Sequence, residues 1–181
     1  MTGPSPIAPA GIAVRLLASA YEAVLTAALA MALGFLLLPW VTAHGIPAPG
    51  SKIALPGSGG RALSLVCLLL VLGAYFTWLW SGGRRTLPMR TWRLELATTA
   101  GAVVDIRRAA LRYAVWWIGP LCALGADIAL RTAGQSRWAV ALLGLNYVWA
   151  LIDRDRQFLH DRIAGTLLLR SPVRERSQAQ A

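Results

Sequence analysis

Four apolar stretches dominate the chain, at residues 16–40, 62–80, 113–130 and 138–152. A hydrocarbon core about 30 Å thick takes roughly 20 helical residues to cross. The first three stretches approach or exceed that length, and the fourth is short at 15 residues. Trp40, Trp78, Trp80, Tyr113, Trp116 and Trp138 stand near their ends, where amphipathic rings favour the headgroup level. The first stretch is too long for the core of a signal peptide, and Glu22 interrupts it, so it is expected to remain as a span. The segment 41–61 is rich in Gly, Pro and Ser and reads as an external connection without structure of its own.

A different period appears between the second and third stretches. Trp92, Leu94 and Leu96 alternate with Arg93 and Glu95, the repeat of a strand. "TTAG" reads as a turn, and "VVD" as a returning strand that makes a small hairpin. Asp105 is placed to cap a helix starting near Ile106. Near the C-terminus Gly165 should end a helix, and "TLLLR" reads as a short strand able to pair with 92–96. The pattern predicts an all-α membrane protein: a four-helix transmembrane bundle with a small cytoplasmic β-hairpin or strand element. The membrane domain spans 11–170, between disordered ends at 1–10 and 171–181.

Composition agrees. Hydrophobic residues make up 56% and charged residues 14%, against about a quarter charged in soluble domains. The net charge is +10, and all basic residues but Lys52 are arginine. Seven arginines lie between residues 81 and 112, and six between 154 and 176. Short arginine-rich loops stay cytoplasmic, so an even number of crossings should separate these regions. The short fourth stretch is therefore counted as a span, with both termini cytoplasmic. No nucleic-acid-binding motif accompanies the charge. Cys67 and Cys122 lie in separate apolar runs and read as small fillers, with neither a disulfide nor a metal expected.

Several polar residues interrupt the apolar runs. Arg15 and Glu22 are seven residues apart, which puts them on one helix face. An acid within a span must find a partner, face water or stay protonated. Glu22 is thus either an ion or proton site, or half of a structural pair. Asp127 and Arg131 fit an i,i+4 pair. Asn146 should bond to a neighbouring helix, and Pro120 should bend the third span. Arg84, Arg85, Arg107 and Arg108 are placed to meet lipid phosphates. His160-Asp161 lacks the nucleophile or metal spacing of a catalytic set. An interface ion pair is expected there, with no catalysis and no cofactor.

The stretches "RLLASAYE" (15–22), "TLPMRTWRLEL" (86–96), "IRRAALRY" (106–113) and "LHDRIAGTLLLR" (159–170) resemble the RDD family of bacterial membrane proteins. That family is named for an arginine and two aspartates. Its arginine corresponds to Arg15, its last aspartate to Asp161, and its first aspartate to Glu22, an acid one methylene longer. The loop shows Leu87-Pro88-Met89-Arg90 in place of the family's "TxGK"-like stretch. The resemblance implies a multi-pass protein of the bacterial cytoplasmic membrane. Transport is often proposed for such proteins, with cation/proton antiport in some members. Arg15, Glu22 and Asp161 are the expected family-motif site, supported by His160, Arg162, Arg112 and Asn146, with Arg15 and Asp161 in salt-bridge reach. Two functions follow as expectations: transport of ions or small solutes, or a non-enzymatic accessory role for anionic lipid or a membrane partner. A homo-oligomer is compatible with either.

Overall fold

A computed structural model describes residues 9–47, 54–131, 134 and 136–170. The expected disordered ends at 1–8 and 171–181, and residues 48–53 of the external connection, lie outside them. Three helices are long and apolar enough to cross a membrane: Ile12–Ala43, Ser58–Trp80 and Ile106–Leu130. The chain divides into two compact units, one of Ala20–Tyr75 and one of Met1–Ser19 with Phe76–Ala181.

The first unit holds most of α1 (Ile12–Ala43) and of α2 (Ser58–Trp80). At about 1.5 Å per residue, α1 is about 48 Å long and α2 about 35 Å, each enough for a bilayer core. Large apolar side chains cover their outsides, among them Met31, Phe35, Leu36, Val66 and Leu70. The connection between them is more ordered than expected, for β1 (Ile46–Pro47) and β2 (Ala54–Leu55) form a two-residue antiparallel ladder.

In the second unit, α2 ends through the positive-φ pair Gly82 and Gly83. The short helix α3 (Leu87–Thr91) starts at Thr86, whose hydroxyl accepts from the Met89 amide. Strand β3 covers Leu94–Thr98, two residues later than the alternation suggested. The expected return strand is reduced to one bridge, Ala97 to Val103. Asp105 explains why: its carboxylate caps α4 (Ile106–Trp116) by accepting from the Arg108 amide, so the chain turns helical before a ladder can form. The partner of β3 is instead β4 (Thr166–Arg170), antiparallel, with Leu94 opposite Arg170 and Thr98 opposite Thr166. Pro9 and Ala10, expected to be disordered, join the far side of β4: Pro9 bridges Leu169, and the Ala10 amide donates to Leu168 at 2.9 Å. Leu94, Val104, Ala109, Met89 and Phe158 form the core here.

The third apolar stretch is broken at Trp117 into α4 and α5 (Ile118–Leu130). Pro120 accounts for part of this, since it has no amide to offer the Trp116 carbonyl four residues back. The Asn146 amide nitrogen donates to that same carbonyl at 2.7 Å. The fourth stretch differs from expectation. It is a 3-10 helix at Ser136–Gly144, one α turn at Leu145–Val148 (α6) and a second 3-10 turn at Trp149–Leu151. It packs along α5 so closely that a Cβ on Gly119 would meet the Leu142 and Leu143 carbonyl oxygens at 3.1 Å. A regular fourth helix is therefore absent among the described residues. The helix α7 (Leu159–Ala164) closes the unit, ended by Gly165 at φ 63°.

Candidate functional site

The third helix contributes Arg112 from an otherwise apolar stripe, between Ala109 and Val115 at helical spacing. Helix α7 contributes His160 and Asp161, and β4 contributes Thr166. Gly165 joins the last two elements. Its left-handed conformation reverses the chain within one residue, and a side chain there would press on the Arg108 guanidinium, 3.1 Å away. The reversal swings the Thr166 hydroxyl back over α7.

The result is a closed triangle. Arg112 forms an ion pair with the Asp161 carboxylate. Arg112 Nη1 also donates to Thr166 Oγ1 at 2.9 Å, and Thr166 Oγ1 donates to Asp161 Oδ1 at 3.0 Å. All three residues are buried, Asp161 to 1% exposure. The Arg112 guanidinium lies over the Trp80 ring, 4.7 Å from its centroid. Planar cations stack well on aromatic faces once shielded from water.

Arg15 is buried beside this triangle but does not pair with Asp161. This corrects the expected salt bridge. Arg15 Nη2 donates to the backbone carbonyl of Arg156, and its guanidinium lies 4.9 Å from the Phe158 ring centroid. Asp153 acts on it electrostatically. Asp153 also braces the 153–158 loop, accepting from the amides of Asp155 at 3.2 Å and Gln157 at 2.9 Å. Arg156 holds φ 51° in that loop. Each buried arginine thus fastens a long apolar helix to the polar segment that follows the fourth stretch.

His160 packs near Tyr147 and Phe158, with ring centroids at 6.1 and 5.7 Å. Its Nε2 lies 3.8 Å from Asp161 Oδ2. Burial, then the positive charges of Arg112 and Arg15, hold its imidazole well below the usual histidine range. It is neutral at pH 7, which suits packing and not an ion pair.

The remaining expected residues are dispersed. Glu22 lies in the other unit, half-buried on α1. Arg162 is at the surface, 2.8 Å from Asp155. Asn146 is buried at the Trp116 carbonyl described above. Of the four arginines expected at lipid phosphates, Arg84 stacks on Trp78 at 3.7 Å and caps α2 through the Ser81 carbonyl. Arg85 pairs with Glu95 at 2.7 Å. Arg107 and Arg108 are exposed. Asp127 and Arg131 form the expected pair at 2.7 Å. Cys67 and Cys122 are free thiols, and the described residues contain no metal-binding group of His, Cys, Asp or Glu.

The role of Thr166 and the burial of Trp80 and Phe158 escape a reading of the sequence, which places both aromatic rings at the interface. The Ala-Gly-Thr step was the available signal for Thr166, since a reversing glycine sends the next side chain back over the helix. The preference of Trp for the headgroup level places Trp80 at the interface, although its ring lies inside.

A family model described as the RDD family matches residues 9–165, most of the chain. No curated protein and no solved structure matches it.

Proposed function

Since the chain belongs to the RDD family and carries three apolar helices of membrane-crossing length, it is a membrane protein, and we propose that its role is non-enzymatic and accessory. In this reading it sits in a bacterial inner membrane and presents a rigid arginine-bearing cytoplasmic cap to an anionic partner. The supporting observation is the closed Arg112–Asp161–Thr166 triangle. It occupies the family aspartate in an internal fastening, while Arg90, Arg93, Arg107 and Arg154 stand exposed on the segments so fastened. Replacing Arg90, Arg93 and Arg107 together with Gln should weaken binding of the purified protein to vesicles with 30% phosphatidylglycerol, chosen as the acidic surface, while its melting temperature holds. Equal binding before and after would reject the reading.

Two features support a four-crossing topology with both termini inside. Pairing of β3 with β4 brings together the chain before the third apolar stretch and the chain after the fourth. The fourth stretch also gains reach from its winding. At about 2.0 Å per 3-10 residue and about 1.5 Å per α residue, Ser136–Leu151 covers about 30 Å, against about 24 Å as a plain α-helix.

A second reading, transport of ions or small solutes, draws support from Glu22, a half-buried acid inside a span. Glu22→Gln should then abolish proton-coupled flux in vesicles without loss of fold. Unchanged flux would remove Glu22 from the mechanism.

A further inference from the structure

The packing of the 3-10 segment against α5 is incomplete at one end. Between them runs an open groove of about 450 Å³, lined by Pro120, Ala123, Leu124 and Asp127 of α5 and by Arg137, Ala139, Val140 and Leu143 opposite. Its walls are apolar, and Leu124, Val140 and Leu143 present exposed side chains along it. Its polar residues are Asp127 and Arg137. The Asp127 carboxylate is engaged by Arg131 through Nε at 2.9 Å and Nη2 at 2.7 Å. Arg137 has no carboxylate partner among the described residues, and its guanidinium lies 5.5 Å from the Trp138 ring centroid. Asp127, Arg131 and Arg137 together leave one positive charge at this end.

From this geometry we infer that the groove holds an anionic phospholipid, with an acyl chain along the α5 and 3-10 walls and the headgroup phosphate on Arg137. The apolar part of such a groove, below the headgroup level, is filled by hydrocarbon, because the bilayer core holds no water. The surplus positive charge selects among lipids, and a guanidinium suits a phosphate by charge and by its forked donors. Trp138 marks the headgroup level. The site lies at the α5 end of the hairpin, away from Arg107 and the cap segments. It rests on the hairpin lying in lipid and not on the accessory role of the cap.

Native mass spectrometry of the full chain in detergent, titrated with phosphatidylglycerol or with phosphatidylcholine, tests it. The unmodified protein should retain phosphatidylglycerol about fivefold better, as one arginine at a lipid surface allows. Arg137→Gln should bring the two lipids level. Val140→Trp, at an exposed position on the wall, should lower retention of both. Arg61→Gln, at an exposed arginine of α2 outside both the groove and the cap, should leave the preference unchanged. Equal retention of the two lipids by the unmodified protein would overturn the proposal. So would an equal effect of Arg137→Gln and Arg61→Gln, which marks general surface charge, or a Val140→Trp variant that keeps its lipid.

Discussion

Asp161 is 1% exposed and meets a guanidinium and a hydroxyl, so its charge is tolerated only because both contacts are in place. His160 beside it has the opposite solution. It is kept uncharged by burial and by Arg112 and Arg15, so its protonation lies below the range near 6.5 that it would show unfolded. The sign follows from linkage. Below about pH 6.5 the unfolded chain takes up a proton that the folded chain refuses, so stability falls as pH drops, by at most about 1.4 kcal/mol per pH unit, and this contribution vanishes above about pH 7.5. Melting in detergent between pH 5.5 and 7.5 should show this loss in the unmodified protein and a shallower one in His160→Gln. Parallel profiles for the two would contradict it. At this scale the sequence was only half legible. The family spacing pointed to Asp161, but which arginine meets it depends on how α4 and α7 pack. Arg15 and Arg112 both lie at helix positions consistent with burial, and the periodicity cannot choose between them.

At the scale of elements, the local signals carried furthest where one residue decides the backbone. Asp105 caps α4, Gly165 reverses the chain, and Asp127 pairs one turn along with Arg131. They fell short where the outcome is a competition. The "VVD" strand lost to β4, which offers five residues of pairing against the single bridge available before the α4 cap. Nor does apolar composition distinguish a 3-10 winding from an α-helix, so the form of the fourth stretch was hidden. Pro120 and Asn146 make a testable pair across this hairpin. Proline leaves the Trp116 carbonyl without its helical donor, and Asn146 supplies one. Asn146→Leu should cost about 1–3 kcal/mol by leaving that carbonyl unmet. In a Pro120→Ala background the restored amide should reduce the loss. An undiminished loss would show that Asn146 acts by packing alone.

At the scale of the whole molecule, three long apolar helices and the two arginine-rich segments were legible from hydropathy and charge, because lipid constrains both so strongly. What hydropathy could not reveal is how the polar segments attach to the helices. Arg112 joins the third long helix to α7 and β4, and Arg15 joins the start of α1 to the 153–158 loop. The β3–β4 ladder, widened by Pro9 and Ala10, closes the same end. The cap is thus fastened by charge as well as by backbone pairing.

That fastening is tested most directly by a double-mutant cycle on reversible unfolding in detergent, using Arg112→Gln, Asp161→Asn and both together. Each single change should cost about 3–5 kcal/mol by leaving a buried charge unpaired, and the double variant little more than either one, whereas Arg15→Gln combined with Asp161→Asn should come much closer to additive. Full additivity between Arg112 and Asp161, or stronger coupling of Asp161 to Arg15, would contradict the account.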